Sequence, residues 1–119
     1  MEIRRGDLVT IPVAGDYGKP RPALVVQDDA FAELPSVVVL RITSDVHEWP
    51  LFRITVAPSQ ENGLRAVSQI MVDKSAAVPV AKLGRRIGHI ETPLLAEVDQ
   101  ALARFLGVYP LSPHPLRKA

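Results

Sequence analysis

Arg21 stands between two prolines in the run Lys19-Pro20-Arg21-Pro22-Ala23-Leu24-Val25-Val26-Gln27. Pro20 and Pro22 fix φ on both sides of the arginine and disfavour the helical region for it, so the backbone beneath the guanidinium is stiff. A preset, permanently charged fork suits the grip of a phosphate. The same spacing also fits an ordinary surface arginine in a hairpin. Guanidinium is a poor general base, so the chemistry open to Arg21 is stabilisation of charge on phosphoryl oxygens more than proton transfer.

Further polar side chains follow the apolar run Ser36-Val37-Val38-Val39-Leu40-Arg41-Ile42-Thr43-Ser44. Thr43 ends this run, where its hydroxyl can cap a turn at a strand end, and Ser44 follows it. His47 sits four residues past Thr43 in a polar loop with Asp45, Glu48 and Trp49. Imidazole suits acid–base work near neutral pH, although an exposed loop histidine with no role fits equally. Trp49, the single tryptophan, can stack on an unpaired base or cover one end of the fold. Lys19, Arg41 and Arg53 could join Arg21 in a local cationic cluster, and Gln69 offers an amide on a later strand. His47, His89 and His114 are scattered, with no carboxylate pair at ligand spacing. No metal or other cofactor is expected.

These residues must be carried by strands. Leu8–Val13, Pro22–Gln27, Ser36–Ile42, Leu51–Ala57 and Arg65–Val72 are rich in Val, Ile and Leu and are bounded by Gly, Pro, Asp or Asn. Their connections are short, which favours antiparallel pairing over long crossovers. Val37-Val38-Val39-Leu40 is apolar on both faces and reads as a central strand. Glu61-Asn62-Gly63-Leu64 supplies turn residues, and Asp73-Lys74 is expected to turn the chain out of its strand. Pro79–Leu83 reads as one helical turn and Arg86–Ile90 as a last strand. Ile70 and Met71 fit either the core or a two-fold contact.

One helix closes the domain, with Thr92 read as its N-cap, Pro93 at its first position and Gly107 as its stop. Leu95, Val98, Leu102, Phe105 and Leu106 form its apolar stripe. The expected fold is mainly β, an SH3-like small barrel of antiparallel strands with a C-terminal α-helix. Residues 1–108 make a single domain and residues 109–119 a Pro-rich flexible tail.

Composition narrows the function. The chain has 119 residues, of which 47% are apolar, enough for one domain with a core. Fourteen Lys and Arg nearly cancel thirteen Asp and Glu, so nucleic-acid contact must come from a local cluster and not from bulk charge. The absence of cysteine excludes disulfides and thiolate catalysis. No apolar run of about 18 residues and no leader pattern are found, so a cytoplasmic protein without membrane contact is expected. Arg5-Gly6-Asp7 spells an adhesion tripeptide, but its glycine and aspartate better serve to shape the start of the first strand.

Arg5-Gly6-Asp7-Leu8-Val9-Thr10-Ile11, followed by a Gly-containing loop and then Arg21-Pro22-Ala23-Leu24-Val25-Val26, resembles the opening of the MazF/PemK family of toxin endoribonucleases. Ser36–Ser44 is similar to that family's third strand with its closing Thr-Ser pair, and Ala66-Val67-Ser68-Gln69-Ile70-Met71-Val72-Asp73-Lys74 to its later strand. The likeness spans about residues 4–108. It implies an SH3-like barrel, a homodimer, and metal-independent cleavage of single-stranded RNA by 2′-hydroxyl attack. The catalytic positions it implies are Arg21, to stabilise the transition-state charge, and Thr43, to donate a hydroxyl hydrogen bond to a phosphoryl oxygen, with Ser44 a weaker candidate for that contact. It also implies neutralisation by a cognate antitoxin that lays a disordered acidic segment across the groove. Three departures stand out: the loop from Ala14 to Pro20 is short, Ser68 precedes Gln69 where some members carry an acidic residue, and Lys19-Pro20 before Arg21 adds charge and stiffness that typical members lack. CcdB-type gyrase poisons resemble the same fold and offer a non-enzymatic alternative, loosely similar over residues 75–108 but with Phe105-Leu106-Gly107-Val108 in place of a tryptophan-containing tail.

Overall fold

The computed structural model describes residues 2–15 and 19–108. The central part of the short loop at Ala14–Pro20 and the expected tail at 109–119 lie outside the described residues. Six strands form one antiparallel sheet: β1 (Asp7–Pro12), β2 (Pro20–Val25), β3 (Ser36–Thr43), β4 (Arg53–Val56), β5 (Ser68–Pro79) and β6 (Arg86–His89), in the spatial order β4-β5-β3-β2-β1-β6. A short 3₁₀ turn at Val80–Lys82 stands where a helical turn is expected, and the helix α1 spans Thr92–Leu106. The result is a mostly-β, curled sheet closed by one C-terminal helix, the expected class.

The sheet curls over two apolar clusters, as its side-chain alternation requires. Leu8, Leu24, Leu40, Ile42, Ile70 and Val72 belong to the larger one, with Val98 of α1 packed among them. Val9, Ile11, Ala23, Val25, Val37 and Val39 belong to the other. This accounts for the doubly apolar β3, which lies between β5 and β2 and feeds both clusters. Gly6, at φ 93, starts β1: the Asp7 carboxylate accepts from Arg4 N–H at 2.9 Å and lies 3.6 Å from Arg86.

Two expectations change and one open alternative is decided. Asp73 and Lys74 do not end a strand; β5 runs on through them for 12 residues. Its register against β3 shifts between Leu40↔Ser75 and Ile42↔Ile70, so the polar pair marks the bend of a long strand. Ile70 and Met71 are 0% and 8% exposed and are therefore core, not a two-fold contact. The N-cap of α1 is Glu91, one residue before Thr92, and its carboxylate turns away to Ser59 and Asn62 instead of capping its own helix. The far end behaves as expected. Gly107 sits at φ 73, its N–H bonded to Arg104 O and that of Val108 to Ala103 O, the paired bonds of a Schellman motif. The apolar stripe packs through Leu94, Leu95, Val98, Ala101 and Leu102, while Phe105 and Leu106 overshoot the sheet and stay exposed.

Candidate active site

The β1–β2 hairpin pairs Ile11 with Arg21 and Pro12 with Pro20. Arg21 is thereby set at the open end of the sheet, exposed, beside the end of β3. Between them lies a groove of about 830 Å³ whose walls include Arg21, Arg41, Thr43, Ser44 and Asp45. Arg65 and Arg85 line the same groove. Four arginines thus face one carboxylate, a local positive field on a chain with a net charge of +1.

The sequence reading missed Arg65 and Arg85 because each stands at the edge of a strand segment, where nothing local shows which surface its side chain joins. Close backbone contacts bring them in. Gly84 packs so tightly on β1 that an added Cβ would lie 2.0 Å from Thr10 Oγ1. Arg85 N–H donates to that hydroxyl at 3.1 Å, and Thr10 N–H to Arg85 O at 3.0 Å. Arg65 follows the turn at Gly63, φ 72, where a Cβ would come within 2.0 Å of Ile87 O. The Gly-Arg and Gly-Leu-Arg spacings were the only signals available.

Thr43 is half-buried, and its Oγ1 accepts the Asp45 N–H at 3.0 Å. Turn-capping and groove exposure therefore coexist: the hydroxyl oxygen holds the turn while its proton can still be donated outward. Ser44 is exposed on the groove wall. Lys19 is exposed next to the hairpin but does not line the groove.

His47, Trp49, Arg53 and Gln69 form a separate assembly just past the groove rim. Gln69 is 3% exposed. Its Oε1 accepts His47 N–H at 3.0 Å, and its Nε2 donates to His47 O at 2.7 Å and to Thr55 Oγ1 at 3.1 Å. It thus brackets the loop backbone from within the fold. Arg53 is not a groove residue, contrary to the grouping with Arg21 and Arg41. Its guanidinium lies 4.9 Å from the Trp49 ring centroid and reaches Asp45 O and Gln69 Oε1 at 3.4 Å. His89 packs its Nδ1 against Ile90 O at 2.8 Å and takes no part in the groove.

Among the described residues no three His, Asp or Glu side chains converge as a metal ion would require. Among them, too, no helix is long and apolar enough to cross a membrane. Among the described residues one titration is displaced from its ordinary value: the Glu91 carboxyl is held low, chiefly by the Ser59 hydroxyl that donates to it at 2.7 Å.

Residues 4–106 match the family described as PemK-like, MazF-like toxin of type II toxin-antitoxin system. The chain belongs to that family. A probable endoribonuclease MazF of Mycolicibacterium smegmatis is 41% identical over 107 residues, covering 89% of this chain and 98% of the relative. Endoribonuclease EndoA of Bacillus subtilis is 27% identical, covering 86% and 92%. Among solved structures, a mycobacterial endoribonuclease in complex with its cognate antitoxin superposes with a TM-score of 0.77 at 22% identity, over 91% of this chain and 99% of that one. A MazE–MazF complex from Deinococcus radiodurans gives 0.74 at 21% identity, over 92% and 99%. At that identity these structures establish the shared fold of a MazF-like toxin.

Proposed function

We propose that this toxin is a metal-independent endoribonuclease acting on single-stranded RNA, with Arg21 and Thr43 as its catalytic residues. The observation that carries this reading is their convergence, from the β1–β2 hairpin and the end of β3, on one groove whose charge is almost wholly positive. The homologues' names as endoribonucleases support the reaction class.

In this mechanism the ribose 2′-oxygen bonds to the adjacent phosphorus and the bond from phosphorus to the 5′-oxygen breaks. The products are a 2′,3′-cyclic phosphate and a 5′-hydroxyl. The 2′-proton leaves to water in the open groove, and the departing 5′-oxygen takes one up. Arg21 stabilises the charge that accumulates on the phosphoryl oxygens, and Thr43 donates to one of them. Arg41, Arg65 and Arg85 hold neighbouring phosphates, with Ser44 beside them. Gln69 and Arg53 position the loop instead of touching the strand.

A homodimer in the cytoplasm, held in check by an antitoxin, completes the reading. Solved relatives carry a cognate antitoxin, and a groove of arginines suits an acidic segment that folds on binding as well as it suits RNA.

The test is incubation of a long single-stranded RNA with purified protein in EDTA, beside Arg21→Ala and Thr43→Val. Discrete fragments ending in cyclic phosphate are expected. Arg21→Ala should give none, and Thr43→Val should be slowed by about 10²–10³-fold, the usual effect of losing one such donor. Absence of cleavage by the folded wild type would sink the proposal and direct attention to gyrase inhibition.

A further inference from the structure

The loop between β3 and β4 carries a finished aromatic stack. The imidazole of His47 lies 4.2 Å, centroid to centroid, from the Trp49 ring, with the planes 4° apart. Phe52 stacks on Trp49 at 5.6 Å, and the Arg53 guanidinium sits 4.9 Å from the indole centroid. Trp49 thus has three neighbours yet stays 42% exposed, and the His47 side chain, on which Trp49 is the one ring stacked among the described residues, is 39% exposed.

The stack is held in place before any ligand arrives. The buried Gln69 brackets the His47 backbone with two hydrogen bonds. The Trp49 carbonyl accepts from Phe52 N–H at 3.2 Å and Arg53 N–H at 2.9 Å, which closes the turn. Asp45 Oδ2 lies 3.0 Å from His47 Nε2 and fixes the ring's rotation. Asp45 is also a wall residue of the arginine-lined groove. The open face of His47 is thus tied to the groove's rim by a two-residue step along the chain.

We propose that this face is a base-stacking subsite. A nucleotide flanking the scissile phosphate lays its base on His47, with Trp49 as the layer beneath. The deduction rests on the ribonuclease reading above and deepens it. Its physical content is preorganisation. An unpaired base has an aromatic face to cover, every base can use the same platform, and the protein's side of the stack is already ordered. The occupant is single-stranded nucleic acid because the shelf continues a groove lined by four arginines. The shelf also gives a role to a loop that exposes Val46, Trp49 and Leu51 yet is bracketed by the buried Gln69. Trp49 acts through His47, so it is a positioning residue.

As the sole tryptophan, Trp49 reports on its own surroundings. The probe is a mixed-sequence oligonucleotide, 2′-O-methylated so that it cannot be cleaved, added to the wild type, His47→Ala and His47→Phe while Trp49 emission is followed. Cleavage of unmodified RNA is measured in parallel. The wild type should show saturable quenching. His47→Ala should weaken oligonucleotide binding and raise KM by about 5- to 150-fold, the range for loss of one stacked base, with kcat much less affected. His47→Phe keeps a ring but not the Asp45 bond and should restore most of the binding. Cleavage by the wild type with no quenching, or with His47→Ala binding unchanged, overturns the stacking subsite and leaves the ribonuclease reading intact. Quenching without cleavage supports the subsite and removes the catalytic reading; neither signal removes both. A quench equally strong with a phosphorylated acidic peptide, undiminished in His47→Ala, reports general anion binding and also overturns it.

Discussion

Asn62 is the side chain on which the geometry behind the groove depends, and its replacement by alanine has a calculable consequence. It is fully buried. Its Oδ1 accepts the N–H of Ser59 and of Leu64, each at 3.0 Å, while Nδ2 donates to Ala57 O at 2.9 Å and Glu91 Oε1 at 3.2 Å. Alanine removes all of these at once. Ala57 is exposed and Ser59 half-buried, so water can reach their groups, and Glu91 keeps the Ser59 hydroxyl. The Leu64 N–H is buried and is left stranded. Taking about 2 kcal/mol for that group and about 0.5 kcal/mol for each of the other three partners gives a loss of roughly 3.5 kcal/mol. A domain of this size is stable by roughly 6–18 kcal/mol, at about 0.05–0.15 kcal/mol per residue, so the fold should survive with a much smaller margin. Urea unfolding followed by Trp49 fluorescence should show the midpoint fall by about 1.5–2 M for an m-value near 2 kcal/mol/M. Asn62→Asp, which keeps the acceptor but turns the donor into a second carboxylate facing Glu91, should lose at least as much at neutral pH. A midpoint shift below about 0.3 M at unchanged m would refute the reasoning, because it would mean that the network is dispensable.

Two glycines with similar dihedrals should respond very differently. Gly63→Ala places a Cβ 2.0 Å from Ile87 O, whereas Gly15→Ala, at φ 87, meets nothing within 4 Å among the described residues. The first should cost more than about 3 kcal/mol in thermal or urea unfolding and the second about 1 kcal/mol, the ordinary penalty of a left-handed residue with a side chain. Stability should also depend on acid through Glu91. Its carboxyl is held below 4.5 in the fold, so its contribution is complete above that pH and is lost as pH falls through the lower folded value. Glu91→Gln should therefore lower the urea midpoint at pH 7 and flatten its decline toward pH 3; an acid limb parallel to that of the wild type would count against the Ser59 contact as the cause. Finally, Arg65→Ala and Arg85→Ala should each weaken oligonucleotide binding and reduce the slope of log K against log salt by about 0.7, the value for one phosphate contact on a single strand. An unchanged slope would remove that arginine from the interface.

Local patterning determined much of this protein from the chain alone. The strand segments, the doubly apolar β3 and the final helix with its Gly107 stop are all readable. Each depends on side-chain alternation, proline geometry or capping within a few residues. The polar Asp73-Lys74 pair misled because a bend inside a long strand and a strand end share the same composition; only the register with β3 separates them. The stripe reading of α1 overran at Phe105 and Leu106 for a related reason: periodicity shows which face is apolar but not where the partner surface stops. The site divided along the same line. Which arginines share a groove is a property of how strands are ordered and how closely loops approach. Arg65 and Arg85 therefore came in through the backbone contacts at Gly63 and Gly84, and Arg53 went out to the face of Trp49. The chemistry of each residue is written in its type, whereas the field that several residues make together exists only once long-range pairing has brought them to one place.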